Sequence, residues 1–414
     1  MVLVCMGKED RTVDPVIDLS KEYGLVLEGG GAKGAYQIGA WKALREAGIK
    51  IRGVAGTSVG ALNGALICMD DLEQAERLWK NIAYSKVMDV DDEMMARLFD
   101  KEKLKAEDLR STLKDTFKIL GEGGADIAPL RRLLEENVDE DRIRKSPVEF
   151  YSCTFSVTDR KELDVDMKSV PEGQMQDMLL ASSYLPVFKN EKLHGKTYMD
   201  GGVTNVLPVN ALLDRGYENL ILIRIFGVGH EKKITIPDQV TVLEIAPRTG
   251  LGSILQFDGA KSRRNMRIGY FDAMRMLYGL EGKIYYIEQK EEECYYLKQL
   301  VQIAPEALKL LLDSYKPERE AGGELRCYME KIMPQIAAEL KLGSGWNYKI
   351  LYLSMLEVCA RLLRIRKYQI YTVDELLGAV RKKAADGGLP EEYPAFVHVI
   401  LNQGVFGKDI TKAE

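Results

Sequence analysis

The chain has 414 residues, a formal net charge of -5, 46% hydrophobic residues and 29% charged residues. That balance suits a globular protein able to bury a sizeable core, and the length predicts one large domain with an accessory region, or two domains. The net charge excludes a nucleic-acid binder held by a bulk positive field, while leaving peripheral contact with a membrane surface open.

The apolar stretch Val2 to Met6 is too short for a secretory signal core. No apolar run approaches the roughly 20 residues that a spanning helix needs. The six cysteines (Cys5, Cys68, Cys153, Cys294, Cys327, Cys359) form no CxxC pair and have no histidine at zinc spacing. They read as reduced thiols of a cytoplasmic protein, mostly core filler, with no metal implied.

In chain order, Gly24 to Glu28 reads as a buried strand closed by the cluster Gly29 to Gly31. A helix is predicted from about Ala32 to Ala47, with Gly48 in the stop position. Ile51 to Ala55 is a second strand, and Val59 to Met69 a small apolar helix. This alternation implies a parallel sheet covered on both faces. Asp71 to Gly121 is charged and helical, an excursion from the sheet. Pro147 to Val157 and Lys196 to Met199 are further strands, separated by a helix over Gln174 to Ser182. Asn219 to Phe226 and Val240 to Ile245 are two later strands of the same core. From about Ser253 the pattern is mainly helical and, beyond about 280, rich in tyrosine. Within it Trp346 to Leu363 carries many apolar residues and few charges. Packing in a helical core or a dimer interface is its plainer reading; contact with lipid, or a cap over a site, is the other.

Gly56-Thr57-Ser58-Val59-Gly60 is a GxSxG sequence between a predicted strand and a predicted helix, the context that exposes a serine nucleophile on a sharp turn. Ser58 then stands at a helix N-terminus, where developing negative charge is favoured. Gly29, Gly31 and Gly34 fit GxGxxG spacing after a strand, which admits a nucleotide-binding reading. That reading expects a carboxylate about 20 residues later, where this chain has Val54-Ala55-Gly56-Thr57-Ser58. The same loop offers unshielded backbone N–H groups in front of a helix, a suitable oxyanion site for acyl transfer. Lys33 either fixes the loop, meets an anionic head group, or is a solvated surface lysine.

A serine nucleophile needs a base. The three histidines are His194, His230 and His398; a Ser-Asp-His order admits Asp200 followed by either of the last two. Asp200 stands in Tyr198-Met199-Asp200-Gly201-Gly202. With a reference pKa near 3.9 it is a weak base unless burial raises that value.

Together these motifs resemble the patatin-like phospholipase family, which combines a GGGxxG oxyanion loop, a GxSxG elbow and a DGA or DGG aspartate in that order. Ala181-Ser182-Ser183-Tyr184-Leu185-Pro186 also looks like that family's ASxxxP stretch. The resemblance implies Ser58 as nucleophile and Asp200 as its base, with Gly29, Gly30 and Gly31 in the oxyanion and substrate-binding loop. Gly34, Gly56, Gly60, Gly201 and Gly202 support the turns. It implies a three-layer α/β/α fold with a mostly parallel central sheet, a Ser-Asp dyad without histidine, no cofactor, and hydrolysis of lipid acyl esters. The expected organisation is a catalytic region over 20–212, remaining core elements over 213–280, and a mainly helical accessory region over 281–414. A nucleotide-binding protein using Gly29 to Gly34, or a non-catalytic lipid-binding scaffold, are the alternatives. Head group, acyl preference and oligomeric state are not encoded in these motifs.

Overall fold

A computed structural model of the chain describes residues 3–4, 11–12, 14–101, 124–185, 187–189, 191–318 and 323–401. It divides into two units between Tyr278 and Gly279, the second also taking in the antiparallel strand pair Leu3–Val4 and Arg11–Thr12.

The first unit is built on β1 (Glu22–Leu27), β2 (Lys50–Thr57), β3 (Glu149–Ser156), β4 (Lys161–Asp166), β5 (Lys192–Leu193), β6 (Lys196–Asp200), β7 (Asn219–Ile223) and β8 (Thr241–Ile245). Among the described residues these form one sheet in the order β8-β7-β1-β2-β3-β6-β5, with β4 on the other edge of β3. From β8 to β3 every pairing is parallel; β4, β5 and β6 pair antiparallel. The parallel strands are almost continuously apolar because helices cover both faces. Val26, Ala55 and Tyr151 point into a cluster with Val206, Val209 and Leu212 around α8 (Val209–Leu213). Their neighbours Val54 and Phe150 face α2 (Val59–Cys68), where a Cβ on Gly64 would lie 3.2 Å from Val54 and 2.7 Å from Phe150.

On the α2 side also lie α1 (Ala35–Glu46) and α9 (Gly259–Tyr278). They approach so closely that a Cβ on Gly39 would sit 1.8 Å from the Met266 carbonyl oxygen, and one on Gly269 1.9 Å from that of Tyr36. The remaining helices of this unit are α3 (Leu72–Lys80), α4 (Asp92–Lys101), α5 (Ala128–Asn137), α6 (Glu140–Lys145) and α7 (Met175–Ser182).

Three local readings are corrected. The first helix begins at Ala35 rather than near Ala32, because Gly31–Gly34 first makes a tighter 3-10 turn. The strand predicted over Asn219 to Phe226 stops at Ile223, since the N–H groups of Ile225 and Phe226 turn away to a buried carboxylate described below. The charged strand β4 (KELDVD) was not anticipated; it is half-exposed along its length and lacks an apolar run. Of the charged excursion, 102–121 lies outside the described residues.

In the second unit, α10 (Glu293–Val301), α11 (Pro305–Tyr315), α12 (Tyr348–Leu362), α13 (Val373–Ala385) and α14 (Val397–Leu401) accompany a parallel strand pair, β9 (Tyr286–Glu288) and β10 (Ile370–Thr372). Its core includes Tyr285, Tyr296, Tyr328, Tyr352 and Phe396. The segment Trp346 to Leu363 contains α12, whose Leu351, Met355, Leu356 and Cys359 are fully buried in that core. The plainer packing reading therefore describes this helix.

Candidate active site

The register of β3 brings Ser58 and Asp200 together. A strand has two hydrogen-bonding edges, and β4 occupies one of them from Tyr151 to Ser156. On the other edge β2 runs as far as Thr57, opposite Cys153, and the next residue, Thr154, is opposite Asp200 of β6. The chain leaves β2 at Ser58 exactly one register step from where β6 delivers Asp200. Two segments more than 140 residues apart in sequence so meet end to end at the carboxyl edge of the parallel strands, where open α/β sheets place their ligand sites.

The turn at Ser58 is strained. Its φ is 55° and ψ is -126°, a backbone state that costs about 1–3 kcal/mol for a non-glycine residue and persists only where the surroundings impose it. Several contacts impose it. The Ser58 N–H donates to Ser182 Oγ at 2.9 Å, and Ser182 Oγ donates to the Cys153 carbonyl at 2.5 Å. Thr57 Oγ1 donates to the Asn205 carbonyl at 2.9 Å. A Cβ on Gly56 would lie 2.3 Å from the Gly60 carbonyl carbon, so the GxSxG glycines fold onto each other. Ser182 is a site residue that sequence reasoning missed: the Ala181 to Pro186 stretch was noticed, but nothing in it marked this hydroxyl as the brace of the elbow. Pro186 lies outside the described residues.

Asp200 is 5% exposed, like Ser58. Its Oδ1 accepts the Gly202 N–H at 2.8 Å, and its own N–H donates to the Tyr184 carbonyl. Oδ2 has no partner in normal hydrogen-bond geometry among the described residues. Burial pushes the carboxyl up to about 6, against the lowering pull of the Ser58 hydroxyl and the Gly202 N–H. The Ser58 hydroxyl is thus near enough to act on the carboxyl without forming an ideal bond, a looseness typical of catalytic pairs without substrate. A carboxyl at about 6 is a far better proton acceptor at neutral pH than an ordinary aspartate.

The glycine loop lies against the elbow: a Cβ on Gly29 would be 3.4 Å from Ser58 Cβ. Its three N–H groups are not equivalent. That of Gly29 donates to the Val206 carbonyl at 2.9 Å and is spent on the fold. Among the described residues, the N–H groups of Gly30 and Gly31 have no backbone acceptor. Gly31 has φ 54°, and a Cβ there would meet the Ile254 carbonyl oxygen at 2.2 Å, so this position tolerates no side chain. Lys33 Nζ donates to the Phe226 carbonyl at 2.6 Å, and burial pulls its ammonium below the usual lysine range. Of the sequence options for Lys33, loop fixation is the one the geometry realises.

Ser58 and Gly31 also line a cavity of about 760 Å³, its open mouth included. Its walls are mostly apolar, with Leu62, Leu66, Ile82, Met88, Leu134 and Phe257 among them. Ser58, Leu62 and Leu66 recur at i, i+4 and i+8 on α2, so the wall extends about 12 Å from the nucleophile position at 1.5 Å per residue.

None of the three histidines is hydrogen-bonded to Asp200 or Ser58 among the described residues. His194 Nε2 pairs with Asp177 at 2.9 Å, His230 is exposed, and the ring of His398 packs on Tyr393 within the second unit.

Residues 25–213 match the family model described as patatin-like phospholipase. Over this stretch the chain is similar to patatin-like phospholipases. Among curated relatives, the chain is 28% identical over 207 residues to neuropathy target esterase sws of Drosophila melanogaster, covering 48% of this chain and 12% of that protein. It is 58% identical over 50 residues to lysophospholipase nte1 of Aspergillus terreus, covering 12% of this chain and 3% of that one. The chain therefore spans only a small part of the length of these relatives. VipD of Legionella pneumophila aligns over 98% of both chains at 13% identity with a TM-score of 0.39, too weak an overlap to inform this protein.

The matched stretch begins within β1 and ends at the last residue of α8, so it contains the glycine loop, the elbow, Ser182 and Asp200. It also contains Cys153, Glu162 and Asp164, whose ligand atoms lie within 4.8 Å of one another. Lys232 already pairs with Glu162 at 3.4 Å and Asn210 donates to Asp164 at 2.9 Å. Burial pushes the Cys153 thiol well up, away from the thiolate a metal requires. Among the described residues no helix is long and apolar enough to cross a membrane, and Cys68, Cys153, Cys294, Cys327 and Cys359 are free thiols.

Proposed function

We propose that this protein hydrolyses acyl esters of lipids, with Ser58 as nucleophile and Asp200 as its base. The observation that carries the reading is the meeting of a strained, buried serine with an under-bonded carboxyl of raised pKa at the end of an apolar cavity. Asp200 takes the Ser58 proton as the hydroxyl oxygen attacks the ester carbonyl. The N–H groups of Gly30 and Gly31 receive the oxyanion, and Gly29 seats the loop against the nucleophile. The tetrahedral intermediate collapses, the alcohol leaves with the proton held by Asp200, and an acyl-Ser58 ester remains. Water then attacks that ester, giving a proton to Asp200; as the second tetrahedral intermediate collapses, Asp200 returns that proton to the departing Ser58 oxygen and the acid is released.

The cavity is suited to the acyl chain, whose burial against leucine and phenylalanine side chains stabilises it by about 0.8 kcal/mol per methylene. The names of the relatives, a lysophospholipase and an esterase, favour the same chemistry. Peripheral contact with a membrane surface and a cytoplasmic location fit a chain whose described helices include none able to span a bilayer.

The test is hydrolysis of a phospholipid, a lysophospholipid and a short-chain aryl ester by the full chain and by Ser58→Ala. The proposal expects turnover of at least one lipid ester, lost in the variant. Hydrolysis that survives Ser58→Ala would reject it.

A further inference from the structure

Glu28, the residue before the glycine loop, is a buried charge with no role in the dyad. It is 2% exposed, and a carboxylate in that position is costly unless it is bonded. Its Oε2 accepts the N–H groups of Ile225 at 2.5 Å and Phe226 at 2.9 Å, and Arg224 Nη2 lies 3.6 Å from Oε1. Its main chain is fixed as well: the N–H donates to the Ile223 carbonyl, and Gln37 Nε2 donates to the Glu28 carbonyl at 2.7 Å. Gln37 is itself held by Asn63, and Asn63 by Trp79, in a fully buried polar chain beside the cavity.

The tripeptide that Glu28 grips is the surface on which the glycine loop rests. A Cβ on Gly30 would lie 2.8 Å from Ile225 Cδ1 and 3.2 Å from Gly227 Cα. A Cβ on Gly227 would lie 1.7 Å from the Gly29 carbonyl oxygen. Lys33, at the far end of the loop, holds the same tripeptide through the Phe226 carbonyl. Residues 28 and 33 thus grip one short segment from both sides of the three glycines. Phe226 is held at φ 47° and is 52% exposed, so the grip on its backbone outweighs both strain and apolar exposure.

We propose that Glu28 is a positioning residue of the oxyanion site: by fixing Ile225 to Gly227 it sets the template that keeps the Gly30 and Gly31 donors aimed at the reacting carbonyl. This rests on the acyl-hydrolase reading above and deepens it. Donors that act on the oxyanion serve the transition state more than the bound ester, so misaiming them lowers kcat and leaves KM nearly unchanged.

The experiment measures kcat and KM of the full chain on a short-chain aryl ester, with functional sites counted by exhaustive fluorophosphonate titration so that misfolded protein drops out of the rate. Glu28→Gln keeps the size and one acceptor oxygen. The expected result is a fall in kcat per titrated site of about tenfold or more, with KM within about twofold. If kcat per titrated site stays within about twofold of the parent, Glu28 is a structural residue only and the inference is overturned. Should Glu28→Gln fail to fold, Lys33→Met releases the opposite grip from a half-buried position. It is expected to show the same split, and an unchanged kcat per site overturns the inference equally. A parent protein that neither reacts with the fluorophosphonate at Ser58 nor hydrolyses esters overturns the functional reading itself, and this inference with it. A parent that does both, beside an unaffected variant, overturns this inference alone.

Discussion

Each unit buries a carboxylate, and the two are held in opposite ways. In the helical unit Glu357 is 3% exposed and accepts the N–H groups of Lys283, Ile284 and Tyr285 at 2.7–3.0 Å, with both oxygens engaged. In the patatin-like unit Asp200 accepts one N–H on Oδ1 and, among the described residues, leaves Oδ2 without a partner of normal geometry. Nests of N–H groups make a carboxylate a structural staple, whereas an under-bonded one beside a strained serine retains capacity to take a proton. Glu28 stands between these cases: bonded to backbone N–H groups like Glu357, it lies next to the loop that packs against Ser58.

The largest effect that separates the two carboxylates is on turnover. Asp200→Asn should lower kcat by about 10²–10⁴-fold, the span of general-base contributions, measured on a short-chain ester. Replacing His230 or His398 with glutamine should cost little in a protein that folds normally; a loss as complete as that of Asp200→Asn would install a histidine as base. Because Asp200 must be ionised to act, kcat/KM should rise with pH through about 6 and level off above it.

Gly30→Ala comes next, with an expected loss of about 10²–10³-fold in kcat, the cost of one oxyanion donor. Its added methyl pushes on Ile225 Cδ1, the movable end of a side chain, so folding should survive. Full activity in a folded variant would remove this loop from the oxyanion site.

Stability should show the reverse order. The folded-state pKa of Asp200, about 6, lies above its ordinary value of 3.8. Its protonated form is therefore the one that folding favours, and its contribution is complete below about pH 4 and lost as pH rises through about 6. Asp200→Asn removes that loss. The variant should match the parent near pH 4 and exceed it at pH 8 by up to about 3 kcal/mol, from roughly two pKa units at 1.36 kcal/mol each. Glu357→Gln should do the opposite, lowering stability by about 1–3 kcal/mol through unsatisfied N–H groups, with turnover per labelled Ser58 unchanged. Thermal melts at both pH values check the pair; a destabilised Asp200→Asn at pH 8 would show that this carboxyl is a staple too.

A smaller effect concerns the cavity. Leu66→Phe, about 12 Å along α2 from Ser58, should reduce hydrolysis of long-chain lysophospholipid relative to a short-chain ester by about tenfold, the lower end of what one pocket change can discriminate. An unchanged ratio would place the acyl chain elsewhere.

Much of this was legible in sequence because glycine signals geometry directly. Gly56, Gly60, Gly201 and the Gly29 to Gly31 run mark close backbone approaches, and their order exposed the elbow, the loop and Asp200. What sequence did not reveal is long-range pairing. Glu28 closes an apparently apolar strand, and its partners are 197 and 198 residues away. Ser182 sits in a helix end, 124 residues from the N–H it braces. Nor does any local pattern say that Gly29 spends its N–H on Val206 while Gly30 and Gly31 keep theirs, because that depends on where a distant turn returns.

The most direct test of the Ser58–Asp200 pair is site-resolved labelling. The full chain and Asp200→Asn are treated with a fluorophosphonate at pH 8, and the modified residue is identified by peptide mass spectrometry. The account predicts a single modified serine, Ser58, labelled rapidly in the parent and at least about 10²-fold more slowly in the variant. Modification of another serine, or equal rates at Ser58 in both proteins, would contradict it.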